Sequence, residues 1–163
     1  MSNSYNDTLS HIDQNNNPSM VNVSDKKITK RVAKARSIVV ITTEIRDLLD
    51  KGEIITKKGP VFQTAIIAGT MAAKKTGELI PLCHPIGLES CDIEISSNLN
   101  EVIIDCTCSV SSKTGVEMEA LTGASVAALT IYDMCKAMSH NIVIKETKLM
   151  AKTGGKNDFN RIG

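Results

Sequence analysis

The chain has 163 residues, of which 42% are hydrophobic, and a net charge of +1. This length predicts one domain that can bury a real core, and no apolar run approaches the ~20 residues that a membrane helix needs. The near-zero charge argues against a broad phosphate-tracking surface, and two Tyr and two Phe residues are too few for base-stacking platforms, so we expect neither nucleic acid nor a membrane as a partner.

The first 19 residues are polar and rich in Asn, and they lack the apolar region of a signal peptide. We predict a flexible N-terminal tail over 1–19, a single domain over 20–159 and a C-terminal tail over 160–163. Five cysteines are an odd number, and without a secretory signal they favour reduced thiols and a cytoplasmic location.

The first predicted elements follow a basic segment. Six cations lie between residues 26 and 36, and we interpret most of them as a solvated arm. The apolar, β-branched run over 36–42 predicts a strand. A short helix is expected over 43–51, with Leu48 and Leu49 pointing inward and a glycine at its end.

The next helix is predicted from Pro60 to about Lys75, because proline suits a first helical turn. Lys57 and Lys58 precede this helix, at an end where the helix dipole favours anions. Two cations there suggest a phosphate site, although a solvated loop is the commoner outcome. Alternating residues then predict a hairpin of two strands, over 90–97 and 101–110.

One long helix is predicted over Gly115–Met138, because apolar residues recur there at steps of three and four. Thr114 and Glu117 fit a capping box at its start. Near its end Asp133 and Lys136 are three residues apart, so their side chains can meet. They form either an exposed helical ion pair or an acid/base pair whose burial makes its protonation useful.

A last strand is expected over 141–150, followed by a loop over 152–156. The order of strand, two helices, hairpin, helix and strand predicts an α+β fold, a ferredoxin-like sandwich with an additional helix. Ile103 and Ile104 are neighbours in one strand, so one of them must point away from the helices. Association of subunits through that face of the sheet is the natural way to cover it.

The cysteines give only a weak metal signal. Cys106 and Cys108 alternate along a strand and share a face, but no second cysteine cluster accompanies them. Buried free thiols are therefore the favoured interpretation. The histidines have no recurring metal-ligand spacing, so we expect no metal and no cofactor.

Three blocks of the sequence resemble one known family. They read GVEMEALT over 115–122 with AALTIYDMCKA over 127–137, LIPLCHP over 79–85, and AKTGGK over 151–156. These blocks are similar to the molybdenum cofactor biosynthesis protein C family, the cyclic pyranopterin monophosphate synthases, and the similarity runs from about Met20 to Phe159. Gly123 stands where alanine is common in that family.

The resemblance implies a lyase that converts 3′,8-cyclo-7,8-dihydroguanosine 5′-triphosphate to cyclic pyranopterin monophosphate with release of pyrophosphate. It also implies a homo-oligomer, commonly a hexamer built as a trimer of dimers, whose substrate is supplied by a radical GTP cyclase. Asp133, Lys136 and Lys58 are assigned the general acid/base catalysis. The expected substrate-binding residues are Leu82, Cys83, His84, Glu117, Met118, Glu119, Lys152, Lys156 and Arg31.

The two ends of the long helix are too far apart to touch one small substrate. Glu119 and Asp133 are fourteen residues apart, which is about 21 Å along a helix. We therefore expect two subunits to build the site. Two alternatives remain: a non-catalytic ligand-binding module, since fold never settles function, and a metal-dependent hydrolase that uses Cys83, His84 and Asp133.

Overall fold

The computed structural model describes residues 12–13 and 15–162. The remainder of the predicted N-terminal tail, 1–11 and 14, lies outside the described residues, as does Gly163. In chain order the elements are β1 Thr29–Val40, α1 Thr43–Arg46, β2 Leu49–Asp50, β3 Glu53–Thr56, β4 Gly59–Pro60, α2 Val61–Lys74, α3 Thr76–Leu79, β5 Ser90–Asn98, β6 Glu101–Ser112, α4 Glu117–Cys135, β7 Val143–Thr153 and β8 Phe159–Asn160.

The main sheet is antiparallel, and its strands lie in the order β5-β6-β1-β7-β8. The helices α2 and α4 pack on one face of this sheet, which completes the split β-α-β-β-α-β arrangement of a ferredoxin-like sandwich. The predicted fold class is therefore confirmed. Two short helices and a small sheet of β2, β3 and β4 are added to it. Within the described residues, no helix combines the length and the apolar character needed to cross a bilayer.

Strand β1 begins at Thr29. The prediction of a solvated arm before a strand that starts at Arg36 is therefore wrong from Thr29 onward. The reason is the alternation of side chains across the strand. Ala33 and Ala35 are buried against the helices. Lys34 and Arg36 point to the opposite face, where their nitrogens lie 3.0 Å and 2.7 Å from the Asp105 carboxylate.

Asp105 therefore holds two cations on the open face of the sheet. Burial alone would raise the pKa of Asp105, but hydrogen bonds from Arg36 and Lys34 outweigh it and hold the pKa below its usual range. Ile103 lies on this same face, opposite Ile38 in the register, whereas Ile104 is fully buried under the helices. One isoleucine thus points away from the helices, as the sequence predicts.

The predicted helix over 43–51 is wrong beyond Arg46, because the next residues form the β2–β3 hairpin. Lys51 and Gly52 adopt φ angles of +50° and +81°, which a two-residue hairpin turn requires and a helix excludes. Leu48 is 45% exposed rather than inward. Leu49 does pack against the core.

Helix α2 extends over Val61–Lys74, as predicted, and it meets α4 at two glycines. A Cβ atom on Gly69 would lie 2.7 Å from the carbonyl oxygen of Gly123 and 3.2 Å from the Cβ of Ala127. The two helix backbones therefore approach each other more closely than side chains at these positions would allow.

Helix α4 begins at Glu117, and the predicted capping box is wrong. Val116 is the residue before the first helical turn, and no side chain caps that turn. The Glu117 carboxylate instead accepts a hydrogen bond from Lys152 Nζ at 3.0 Å. Strand β7 continues to Thr153, so Lys152 lies on a strand rather than in the predicted loop.

Candidate functional site

Six of the predicted substrate-binding residues line one cavity of about 310 Å³ at the start of α4. Three of them belong to the first turn of α4, and three follow α3 in a segment that Pro81 and Pro85 stiffen. The fold therefore brings together Leu82, Cys83, His84, Glu117, Met118 and Glu119.

Glu119 is the most buried acidic group of this cavity, with 3% of its surface exposed. Burial raises the pKa of Glu119, and the neighbouring charge of Glu117 raises it further. Burial also raises the pKa of the Cys83 thiol. A carboxyl group held toward its neutral form can donate a hydrogen bond as well as accept one.

His84 is held by a hydrogen bond of 2.7 Å between its Nε2 and the carbonyl oxygen of Val21. Because a carbonyl can only accept, Nε2 carries the proton in this arrangement. The Nδ1 atom of a neutral ring is then left as an acceptor. The backbone contact fixes the ring beside the cavity, and that position suits the orienting role predicted for His84.

A second cavity, of about 210 Å³, is lined by five cations and one carboxylate. The cations are Lys26, Arg31, Lys113, Lys152 and Lys156, and the carboxylate is Glu117. The structure thus places three of the predicted substrate-binding residues, Arg31, Lys152 and Lys156, around one cavity. Glu117 also lines the first cavity, so the two cavities adjoin.

Two of these cations were missed by the sequence analysis. Lys26 was grouped with the solvated arm, and no local pattern distinguishes it from its neighbours. Lys113 precedes the start of α4, where the positive end of the helix dipole and a lysine together favour an anion, so its position was a usable signal. Lys113 Nζ donates a hydrogen bond to the Ser24 carbonyl oxygen at 2.6 Å.

The Gly154–Gly155 segment does not present a free pair of backbone N–H groups. Gly154 N–H donates to the Asp158 carboxylate at 3.0 Å. Its φ angle of +84° is one that glycine adopts readily. Side-chain cations therefore supply the positive charge of this cavity, since the Gly154 N–H already has Asp158 as its partner.

The three predicted catalytic residues meet at the other end of α4. Lys58 Nζ lies 2.9 Å from Asp133 Oδ2, and Lys136 Nζ lies 2.7 Å from Asp133 Oδ1. Lys58 also donates to the backbone carbonyl oxygen of Asp133 at 2.9 Å. Two elements build this triad, since Lys58 precedes α2 and the other two residues end α4. We call it the Lys58–Asp133–Lys136 triad.

The triad rests as an ion cluster with one excess positive charge. Hydrogen bonds from Lys136 and then Lys58 lower the pKa of Asp133 to about 2. The same hydrogen bond, which Lys136 donates to Asp133, raises the pKa of Lys136. All three side chains are about half exposed, so the triad can be reached by a ligand. Within one chain Asp133 and Lys136 thus form an exposed helical ion pair, and their acid/base role stays a prediction.

The triad borders a third cavity of about 700 Å³, which is mostly apolar. Its walls include Ile55, Met134 and Met138, and Ile55 is 64% exposed. The chain therefore presents apolar surface next to its charged triad.

The cavities at the start of α4 and the triad at its end lie far apart within one chain. Glu119 and Asp133 occupy the same continuous helix, so about 21 Å of helix axis separates them. One chain cannot place Cys83, His84 and Asp133 around a single metal ion. The metal-dependent hydrolase alternative therefore has no single-chain site in this fold.

Comparisons with known proteins agree on one family. A family model described as the MoaC family matches residues 20–155. Molybdenum cofactor biosynthesis protein 1 of Dictyostelium discoideum is 50% identical over 96% of this chain, which covers 28% of that protein. The molybdenum cofactor biosynthesis bifunctional protein of Synechocystis is 51% identical over 94% of this chain, which covers 46% of that protein. This chain thus spans less than half the length of these two relatives. A cyclic pyranopterin monophosphate synthase of Xanthomonas axonopodis is 50% identical, with 96% of both chains covered.

Proposed function

The chain belongs to the MoaC family, and on this premise we propose that it is a cyclic pyranopterin monophosphate synthase of molybdenum cofactor biosynthesis. It converts 3′,8-cyclo-7,8-dihydroguanosine 5′-triphosphate to cyclic pyranopterin monophosphate and releases pyrophosphate. The observation that carries this proposal is the pair of adjoining cavities at the start of α4, one cationic and one containing buried acid.

The cationic cavity suits the triphosphate of such a substrate. Five cations face one carboxylate there, and Arg31 and the lysines can each form charge-assisted hydrogen bonds to phosphate oxygens. Lys152 exchanges its bond to Glu117 for a phosphate oxygen when substrate enters. The adjoining cavity takes the guanine-derived ring. Glu117 and Glu119 accept hydrogen bonds that the N–H groups of this ring donate.

The Lys58–Asp133–Lys136 triad supplies proton transfer. The rearrangement opens and re-forms bonds around the base and then closes a cyclic phosphate, so each step needs a positioned acid or base. Lys136 acts as a proton donor. Asp133 holds both lysines in place through its ion pairs with them, and Lys58 is the second donor.

Because one helix separates the two regions, the complete site combines the start of α4 in one subunit with the end of α4 in another. The protein is accordingly a homo-oligomer, a hexamer built as a trimer of dimers. It works in the cytoplasm and receives its substrate from a radical GTP cyclase. The apolar surface at Ile55 and Met138 beside the triad supports a subunit contact there.

The first test is a product assay. Purified protein is given the cyclised GTP intermediate, and pyrophosphate and the cyclic phosphate pterin are measured. We expect both products from the wild-type protein and neither from Lys136→Ala or Asp133→Ala, with the oligomer intact by size-exclusion chromatography. Intermediate that binds and returns unchanged would support the ligand-binding module instead.

The shared site has a sharper test in mixed oligomers. Lys136→Ala damages the triad, and Lys152→Ala damages the cationic cavity. If two subunits build each site, co-expression of the two variants leaves about a quarter of the sites with both halves intact, so activity returns to about that level. A mixture of Lys136→Ala with Lys58→Ala serves as control, because both damage the same half and no site is restored. No recovery in the first mixture would place the whole site within one subunit.

A further inference from the structure

Three cysteines that have no role in the proposed reaction converge under the helices. The sulfur atoms of Cys91, Cys106 and Cys108 all lie within 4.8 Å of one another. Cys91 lies on β5 directly opposite Cys108 on β6, and Cys106 is two residues away on the same face. Within the described chain, this is the one group of three potential metal-ligating residues that converges in this way. We call it the three-cysteine cluster.

The cluster is enclosed on most sides. Cys106 and Cys108 are fully buried, whereas Cys91 is partly exposed. The Cys106 sulfur faces α4 at Gly123, where an added Cβ would lie 2.7 Å from it. The absence of a side chain at Gly123 therefore leaves room for this sulfur. An ion can reach the cluster from the Cys91 side.

We propose that the three-cysteine cluster is a binding site for one soft monovalent metal ion, Cu(I), held by three sulfur atoms. The spacing fits this geometry. With metal–sulfur bonds of about 2.3 Å, three sulfurs in a plane around one ion stand about 4.0 Å apart. The Cys106 and Cys108 sulfurs are 3.9 Å apart before any ion enters, and small side-chain rotations bring Cys91 to the same distance.

The donor set selects the metal. Thiolates prefer soft ions such as Cu(I), whereas zinc in closed protein sites takes four ligands. The cluster offers three. Each thiol that binds gives its proton to the solvent, so binding releases up to three protons. The ammonium group of Lys74, on α2 beside Cys91, offsets part of the negative charge of the resulting complex.

The direct test is an anaerobic titration of the reduced, full-length protein with Cu(I) in competition with a coloured Cu(I) chelator. We expect one ion per chain, a thiolate-to-copper absorption band in the ultraviolet, and three sulfur neighbours at about 2.3 Å by X-ray absorption. Loss of an outer hydrogen-bond partner weakens a metal site roughly 10–100-fold. Cys91→Ser removes a direct ligand, so it should weaken Cu(I) binding by more than that. Cys83→Ser is the matched control, because it removes a partly exposed thiol outside the cluster.

Several outcomes would overturn the proposal. One is a folded Cys91→Ser protein, by circular dichroism and size-exclusion chromatography, that binds Cu(I) as tightly as the wild type. Another is loss of binding in Cys83→Ser. Displacement of Cu(I) by an equal concentration of Zn(II), or a wild-type X-ray absorption spectrum with fewer than three sulfurs, would also reject it. The wild-type spectrum tests the proposal even if the Cys91→Ser variant fails to fold.

Discussion

Replacing Gly69 by Ala tests whether the close contact between α2 and α4 holds the Lys58–Asp133–Lys136 triad in place. The new Cβ would lie 2.6 Å from Ile93 Cδ1 and 2.7 Å from the carbonyl oxygen of Gly123. The isoleucine can turn aside, but the carbonyl belongs to the helix backbone. Relief therefore requires the two helices to move apart.

The expected cost follows from two opposing terms. Overpacking a well-packed core costs about 1–3 kcal/mol. Alanine in a helix is favoured over glycine by about 1 kcal/mol, which offsets part of that. Subtracting the gain from the cost leaves about 0–2 kcal/mol. Since one of the two clashes is with backbone, which cannot turn aside, we expect the free energy of unfolding to fall by about 1–2 kcal/mol.

The displacement should also reach catalysis. Lys58 precedes α2 and contacts Asp133 on α4, so a shift between these helices changes the geometry of the triad. A misplacement of about 1 Å can cost on the order of 100-fold in rate. We expect kcat of Gly69→Ala to fall at least tenfold, while substrate affinity, which we propose is set mainly at the start of α4, changes little.

Urea unfolding at one fixed protein concentration measures the stability term, because an oligomer's apparent stability depends on concentration. The matched control is Gly123→Ala, on the facing helix. Its Cβ would press on the Cys106 sulfur at 2.7 Å and on the Gly69 carbonyl oxygen only at 3.3 Å, so a side-chain rotation relieves most of the strain. A Gly69→Ala protein as stable and as active as the wild type would refute the reasoning.

Three further predictions concern charge. Lys152→Met should raise KM for the triphosphate substrate by a larger factor than it lowers kcat. Lys148→Met removes a cation paired with a carboxylate elsewhere, and it should leave both constants unchanged in the same product assay. Burial raises the pKa of Glu119. The contribution of Glu119 to stability is therefore full below about pH 4.3 and is lost as pH rises through the raised pKa. Glu119→Gln should unfold at a higher urea concentration than wild type at pH 7.5 and at the same urea concentration at pH 4. The pKa of Asp105 is lowered, so its contribution to stability is present above about pH 3.9 and is lost as pH falls through the lowered pKa. Asp105→Asn should be less stable than wild type at pH 7.5, and this difference in stability should disappear in acid unfolding curves. Equal pH dependence of variant and wild type would contradict either of these last two.

The sequence predicted best where a repeating pattern extends over many residues. Helix α4 and the β5–β6 hairpin are such cases, because helical and strand periodicities are set by the chain itself. The start of β1 was missed because Lys30, Arg31 and Lys34 hide the alternation of small buried residues. The pairing of Lys34 with Asp105 depends on a strand more than 60 positions away, and no local pattern reports it.

The candidate site shows the same division. Short blocks that resemble a family contain Glu117, Glu119, Asp133 and Lys136, whereas Lys58 lies outside them, just before a predicted helix. Lys26 joins the cationic cavity only because the chain before β1 returns to the start of α4, and this contact between distant segments has no signature in the local sequence. The three-cysteine cluster escaped notice for a related reason: Cys91 meets Cys108 only through the register of two strands.

The electrostatics of α4 explain why the two halves of the proposed site lie at opposite ends of one helix. The helix dipole places partial positive charge at the start, where the cationic cavity gathers, and partial negative charge at the end, where Lys58 and Lys136 lie. The start therefore favours anions, and the end favours cations. A single helix cannot bring its own two ends to one substrate, but two helices from different subunits can. The mixed-oligomer experiment measures this arrangement directly, since only a shared site regains activity when each subunit contributes its undamaged end.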